Sequence, residues 1–311
     1  MHKVKTVRIH QFGGPEVLKV EEIELSMPDA EEILVAVRGA SVNPVDFKIR
    51  SGKYPAVKED KLPYTLGRDA SGIVEKCGAG ATRYEVGEEV FGMIGIHGGG
   101  YAQKAIFNEA ALARKPRTID HVHAASVPLA GLTAWQGLFR YGEVKPGQRI
   151  LIHGGAGGVG HFAIQFAKAK GIHVTTTVST NHVDFVRGLG ADVVIDYRKQ
   201  PFEQAVKDLD MVFDLIDGET RQRSWAVLKK GGILVTTLTE PSAEEARKHG
   251  VRATRYTVQA DGDELSEISQ LIDAGKVKPK VTRTFPLQSA AQALDAVEHG
   301  HSEGKIVLTV D

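Results

Sequence analysis

The sequence predicts an α/β protein in which a doubly wound parallel sheet is joined to a β-rich region. Three observations carry this. From Arg149 onward, short apolar strands alternate with helical stretches, the pattern of a parallel sheet covered on both faces. A glycine turn, from Gly154 to Gly160, links the first of those strands to its helix. Before about residue 115, β-branched runs are punctuated by glycine and proline, with no long helical period.

In the first region, strands are expected at 5–9, 33–37, 67–74, 86–91 and 101–107, with turns at Gly13-Gly14-Pro15 and Met27-Pro28-Asp29. Pro44 suits the first position of a short helix, where its missing N–H is not needed. Residues 121–138 carry Ala, Leu and Trp135 at helical spacing. In the alternating region, strands are expected at 150–153, 173–178, 192–195, 211–215, 233–237 and 251–258. Helices are expected at 159–170, 183–189, 200–207 and 220–228, with a further helix at 265–274. A β-like stretch at 277–285, a helix at 288–299 and a strand at 305–310 then return to the style of the first region. The expected domains are residues 1–120 with 276–311, and residues 121–275.

Composition narrows the function. The 311 residues hold 39 Lys and Arg against 39 Asp and Glu, so no net field favours nucleic acid or an anionic membrane. No apolar run of about 20 residues spans a bilayer, and the N-terminus lacks the apolar core of a secretory signal. Cys77 is the single cysteine; a disulfide framework and a cysteine-rich structural zinc site are excluded. A cytoplasmic location is the expectation. Cys77, beside Gly78, reads as a small buried residue.

The segment Ile150-Leu-Ile-His153-Gly154-Gly155-Ala156-Gly157-Gly158-Val159-Gly160 has the form of a Rossmann dinucleotide turn: strand, glycines, helix. One glycine permits the tight turn, another lets backbone N–H groups reach a pyrophosphate, and a third lets helix and strand pack closely. Unpaired donors at the helix N-terminus favour the anion. The second strand ends in Ser179-Thr180-Asn181-His182, with no carboxylate where an NAD enzyme bonds the ribose 2′-OH. Hydroxyl and amide groups can instead bond a 2′-phosphate, so NADPH is the expected cofactor. His182 or Arg187 could add positive charge, and Tyr197 could flank the adenine. His182 equally fits a solvent-exposed helix start.

With these residues in view, the chain resembles the medium-chain dehydrogenase/reductase superfamily, and within it the zinc-free quinone oxidoreductase branch that includes alkenal and enone reductases. The resemblance rests on Ser41-Val-Asn43-Pro-Val-Asp46-Phe-Lys48, Arg50-Ser-Gly-Lys-Tyr54-Pro and Gly67-Arg-Asp69-Ala-Ser-Gly72. It continues in Val86-Gly-Glu-Glu-Val90, Gly131-Leu-Thr133-Ala-Trp, residues 154–160, Gly190-Ala-Asp-Val-Val-Ile-Asp-Tyr197 and Gly304-Lys305-Ile-Val-Leu. It implies a GroES-like catalytic domain beside the Rossmann domain, a homodimer paired through an edge strand near 251–258, and hydride transfer to a quinone or an α,β-unsaturated carbonyl.

The resemblance also assigns roles. Asn43 lies near the nicotinamide ribose, Lys48 faces cofactor or substrate, Tyr54 lines the substrate cleft, Thr133 touches the cofactor, and Lys305 closes over it. Tyr54, Lys48 and Asn43 are the candidates to polarise a carbonyl. Each has a plainer reading: Asn43 shaping the turn before Pro44, Tyr54 packing in a turn, Lys48 lying in solvent. The zinc branch carries a ligand Cys near Asn43 and a Gly-His-Glu run near Gly67-Arg68-Asp69; this chain departs at both, so no metal is expected. His121-x-His123 has no third ligand nearby in sequence. Enone reductases tend to carry a lysine where this chain has His182. The competing readings are a non-catalytic NADPH-binding protein and a reductase of thioester-linked enoyl groups; the latter predicts a basic entrance that the sequence does not plainly show.

Overall fold

The computed structural model describes residues 2–300 and 303–311. The chain divides into two compact units: residues 1–129, 260–274 and 279–311 form the first, and residues 130–259 with 275–278 the second.

The first unit opens with β1 (His2–Ile9), β2 (Leu18–Leu25), β3 (Glu32–Val42), α1 (Pro44–Arg50), β4 (Tyr64–Thr65), β5 (Asp69–Cys77), β6 (Glu89–Met93), β7 (Lys104–Asn108), β8 (Leu112–Arg114) and α2 (His121–Ala125). β1 lies between β2 and β4 in a small antiparallel sheet. β3 is buried on both faces, and Ile33, Val35 and Val37 are fully withdrawn into the core with Val74, Val90 and Phe107. Half-buried Cys77 donates its thiol to the Tyr84 carbonyl at 3.3 Å.

The second unit follows with α3 (Pro128–Trp135), β9 (Arg149–His153), α4 (Gly160–Ala169), β10 (His173–Val178), α5 (Val183–Gly188), β11 (Val193–Asp196), β12 (Leu209–Asp214), α6 (Gly218–Ser224), β13 (Leu228–Thr236), α7 (Ala243–His249) and β14 (Arg252–Arg255). The six strands are parallel, in the order β11-β10-β9-β12-β13-β14. Ile150, Leu151 and Ile152 of β9 are fully buried between the helix layers, as are Phe162, Ile164 and Phe166 of α4. The expected doubly wound sheet is therefore present, with β14 at one edge.

The chain then returns to the first unit as α8 (Gly262–Asp273), β15 (Val281–Pro286), α9 (Ala290–Glu298) and β16 (Lys305–Thr309). β16 pairs antiparallel with β3, placing Ile306 opposite Val42. The larger sheet runs β15-β16-β3-β5-β6-β8, with β7 also paired to β3.

Three element expectations need correction. The helical stretch at 121–138 is not one helix. α2 stops before Ser126, Pro128 opens α3, and residues 136–141 wind as a π-helix. Proline has no N–H to continue the earlier helix and disfavours helical geometry in the residue before it. The helix at 200–207 shrinks to a single 3-10 turn, Phe202–Gln204, with Pro201 before it and Asp208 at φ +56° after it. The last strand of the parallel sheet is shorter than the expected 251–258, ending at Arg255.

Candidate active site

In the second unit, β9 runs straight into the glycine turn. Gly154 stands at φ +73°, a conformation that a side chain would strain. A Cβ on Gly155 would overlap the Thr176 hydroxyl of neighbouring β10, and one on Gly160 would overlap the Gly154 carbonyl. Gly157 N–H donates to Gly154 O at 3.1 Å, closing the turn. His161 returns its Nδ1 to Gly157 O at 3.0 Å. Ala156, Gly158 and Val159 complete the approach to α4, where His161 N–H donates to Gly157 O at 3.1 Å. Beneath the turn, His153 is fully buried, with Nδ1 2.9 Å from Thr177 Oγ1 and Nε2 2.9 Å from Ser224 Oγ. Burial, with the Arg223 charge adding to it, depresses this imidazole to about 3, so the ring is neutral and fixes the end of β9.

The residues expected around the 2′-phosphate follow β10. Ser179 is buried, Thr180 and Asn181 are exposed, and His182 is half-buried. Tyr197, 54% exposed, follows the end of β11. The structure thus gathers residues 154–159, 179–182 and Tyr197 at the carboxyl ends of three adjacent parallel strands, where open α/β sheets bind ligands. Sequence reasoning missed one neighbour. Asp196 accepts the Thr180 hydroxyl proton at 2.7 Å. That hydrogen bond holds its carboxyl below the usual carboxylate range. A carboxylate therefore stands at this end of the sheet after all, contributed by β11 rather than β10. Thr133 is buried on α3, and its carbonyl accepts the Tyr256 hydroxyl proton.

In the first unit, Asn43 caps α1. Its backbone N–H donates to Asp46 Oδ2 at 2.8 Å, and the side chains complete a capping box. Asn43 Nδ2 donates to Asp69 Oδ1 at 3.1 Å, and the Ser41 hydroxyl donates to the same oxygen at 2.7 Å. Lys305, at the start of β16, donates to Asn43 Oδ1 and, at 3.0 Å, to Val42 O. Tyr101 donates to Asp46 Oδ2 at 3.0 Å. This is a buried network of two carboxylates and one ammonium. Burial raises Asp69, against the opposing pull of Lys305. Burial likewise pushes Asp46 up to about 7 and lowers Lys305. Asn43 and Lys305 are brought together, but Lys305 is 4% exposed and spends its donors on protein oxygens. Lys48 is exposed on α1, and Tyr54 is half-buried against the hydrophobic core.

Zinc fits this donor set poorly. Asn43, Arg68 and Asp69 offer an amide, a guanidinium and a carboxylate already engaged by three donors, the third being Leu129 N–H at 3.1 Å. Zn²⁺ takes thiolate, imidazole and carboxylate ligands, and the fixed Lys305 ammonium repels a second cation. Of the histidines noted in sequence, His121 is bonded to Ser71 and Glu89, and His123 to Asp120. Among the described residues, no group of three or more His, Cys, Asp or Glu could hold a metal ion.

Comparison with known proteins extends these observations. Residues 29–117 match the alcohol dehydrogenase GroES-like domain and residues 189–308 the zinc-binding dehydrogenase domain. The NADPH-dependent alkenal/one oxidoreductase, chloroplastic, of Arabidopsis thaliana is 36% identical, over 96% of this chain and 77% of that one. The quinone oxidoreductase of Coxiella burnetii superposes with a TM-score of 0.93 at 35% identity, covering 100% of both chains. The Escherichia coli quinone oxidoreductase complexed with NADPH gives 0.89 at 30% identity, over 98% of this chain and 99% of that one. A GroES-like first unit, a parallel second unit built on a glycine turn, and full-length likeness to these enzymes place the chain in the medium-chain dehydrogenase/reductase superfamily, in its quinone oxidoreductase branch.

Proposed function

We propose that this protein is an NADPH-dependent reductase that passes a hydride to a quinone or an α,β-unsaturated carbonyl, without zinc. The observation that carries the reading is the turn at 154–159, at the carboxyl edge of the parallel sheet, in a chain whose relatives are named for NADPH and for these acceptors. When bound, NADPH supplies the hydride. Ala156, Gly158 and Val159 offer backbone N–H groups to the pyrophosphate beside the α4 dipole, while Gly154, Gly155 and Gly157, whose N–H groups donate to Thr177 O and Gly154 O, shape the turn that receives it. Ser179, Asn181 and His182 serve the 2′-phosphate, and Tyr197 flanks the adenine. Thr180 has already committed its proton to Asp196, so its hydroxyl can only accept. In the second unit Thr133 serves the cofactor; in the first, Asn43, Tyr54 and Lys48 keep the cofactor and substrate roles that the resemblance assigns them. Lys305 acts through Asn43, whose amide it orients, rather than by closing over the cofactor.

A homodimer paired through β14 completes the reading, supported by the unpaired edge that Arg252–Arg255 presents. A reducing, cytoplasm-like compartment suits the single cysteine. No helix among the described residues is long and apolar enough to cross a membrane.

The test is consumption of NADPH and NADH with a small quinone and with a medium-chain enone. Turnover that favours NADPH supports the reading. Tight NADPH binding with no turnover of either acceptor overturns it in favour of a binding protein. Light scattering in solution, with Thr254→Pro to break the β14 edge, tests the dimer.

A further inference from the structure

A phosphate monoester carries a charge of about −1.5 to −2 at neutral pH. The groups assigned above to the 2′-phosphate do not answer that charge. Ser179 and Asn181 offer a hydroxyl and an amide. Thr180 donates its hydroxyl to Asp196, and His182 already has a partner. Where enone reductases tend to carry a lysine, this chain has that histidine. A permanent cation has to come from elsewhere in the second unit.

Between Ser179 and Gln200 the chain holds three Lys or Arg. Arg187 of α5 pairs with Asp184 at 3.3 Å, and Lys199 pairs with Asp196 at 3.6 Å. Arg198 is exposed, and its guanidinium meets no carboxylate and no hydrogen-bond acceptor among the described residues. Its backbone, by contrast, is pinned. Arg198 N donates to Asp196 Oδ1 at 3.0 Å. Asp196 O accepts from Lys199 N at 3.0 Å and from Gln200 N at 3.1 Å, closing a tight turn after β11.

That turn lies against the end of β10. Asp196 is in register with Val178, and Tyr197 N donates to Val178 O at 3.1 Å, one residue before Ser179. Adjacent strands stand about 4.8 Å apart, less than the length of an extended arginine side chain. The carboxylates nearest in sequence are already answered, Asp184 by Arg187 and Asp196 by Thr180 and Lys199. Beside Arg198, Tyr197 leaves a large aromatic ring in solvent, a face on which an adenine can stack.

We infer that Arg198 is the cation of the nucleotide site, binding the 2′-phosphate of NADPH through two guanidinium N–H groups and so setting the preference for NADPH over NADH. This rests on the reading above that places the phosphate at residues 179–182. Arginine suits the task, because its planar fork matches two phosphate oxygens and its charge is permanent. The turn fixes the Cα beside the phosphate and leaves the side chain free to close on it.

The test uses the whole protein with Arg198→Gln, Arg198→Lys and, separately, Asn181→Asp. Nucleotide fluorescence reads the affinities for NADPH and NADH. Adenosine 2′,5′-bisphosphate and adenosine 5′-monophosphate, which differ only in the 2′-phosphate, are the competing probes. Arg198→Gln should weaken NADPH and the bisphosphate about 10- to 100-fold. NADH and the monophosphate should stay within about twofold of the parent, which also shows that the variant is folded. Arg198→Lys, with a single point charge in place of the fork, should fall between. In phosphorus NMR, the 2′-phosphate bound to the parent should ionise at least about one unit below its free value of about 6, and Arg198→Gln should lose most of that lowering. Unchanged NADPH affinity in Arg198→Gln would overturn the assignment, as would equal losses for both nucleotides with the phosphorus titration unmoved. In that event Asn181→Asp separates the two claims. A selective loss of NADPH there would leave the phosphate site standing without Arg198, and an unchanged ratio of NADPH to NADH affinity would remove the site as well.

Discussion

Asp46 makes the stability of the first unit depend on pH, with a sign opposite to that of most aspartates. Its carboxyl accepts from Asn43 N and Tyr101 OH on one oxygen, and the other is buried without a partner. The charges facing it are Asp69 and Lys305, of opposite sign. Burial prevails, and the carboxyl moves from 3.8 to about 7. Between these values the folded chain keeps a proton that the unfolded chain has released. The contribution to stability is therefore full below the unfolded value and is lost as pH rises through the folded one. At about 1.4 kcal/mol per unit, the loss amounts to about 2 kcal/mol between pH 5.5 and 7, and little more follows above that. Asp46→Asn keeps an oxygen for both donors and cannot ionise. Relative to the parent, the variant should gain about 2 kcal/mol between pH 5.5 and pH 8. Tryptophan fluorescence would miss this, because Trp135 and Trp225 both lie in the second unit. Hydrogen exchange of β3 and β16 amides in sub-denaturing urea, corrected for intrinsic rates, reports the first unit directly. A stability difference that is flat with pH, or that moves against the variant as pH rises, would refute the reasoning.

The second unit should respond in the opposite direction to acid. His153 is held neutral with a pKa of about 3, so the unfolded chain takes up a proton first as pH falls below the ordinary histidine value. Urea unfolding followed by tryptophan fluorescence should show about 2 kcal/mol less stability at pH 5 than at pH 7, and His153→Gln should flatten that slope. Gly155→Ala, which drives a methyl into Thr176, should weaken NADPH binding at least about tenfold. By contrast Gly188→Ala, with open space around it in α5, should leave binding intact and stabilise by about 0.5–1 kcal/mol. Asp196→Asn frees the Thr180 hydroxyl and removes a negative charge beside it, so the ratio of NADPH to NADH affinity should rise about tenfold; titrations of both nucleotides measure it.

The parallel sheet and its glycine turn were legible because their causes are local: an apolar run, three spaced glycines, then a helical period. The breaks were harder to read. Pro128 signals the end of α2, but the π-helix after Trp135 depends on Gly137 packing against Phe213 and Tyr256, far along the chain. Phe202 and Val206 are buried as a helix would bury them, yet Pro201 and the left-handed Asp208 leave room for only one turn. The electrostatics of the site were largely invisible for the same reason. Lys305 reaches Asn43 across 262 positions, and Asp69 meets Asn43 across 26. Asp196 was hidden more simply, because the acid was sought on the strand that precedes Ser179 rather than on the next one. Arg68 stood out in sequence as a departure from the zinc pattern; its burial and its bond to Ile94 O are set by a strand end 26 positions away.

The ends of the second unit are tied to each other. Gln136 Nε2 donates to Gln259 O at 2.9 Å, Gln259 N donates to Gln136 Oε1 at 3.0 Å, and Tyr256 bonds Thr133 O. The stretch from 130 to 259, the greater part of the second unit, thus begins and ends side by side, like a loop closed by a clasp. The entropy of that closure falls within the second unit's own folding, and the first unit sees the whole insertion as little more than a short connection. Adjacent ends are also what circular permutation requires. A second unit excised with its ends at 130 and 259 linked, and opened at an exposed turn such as Gly171, should preserve the sheet in a chain whose order has been rewritten.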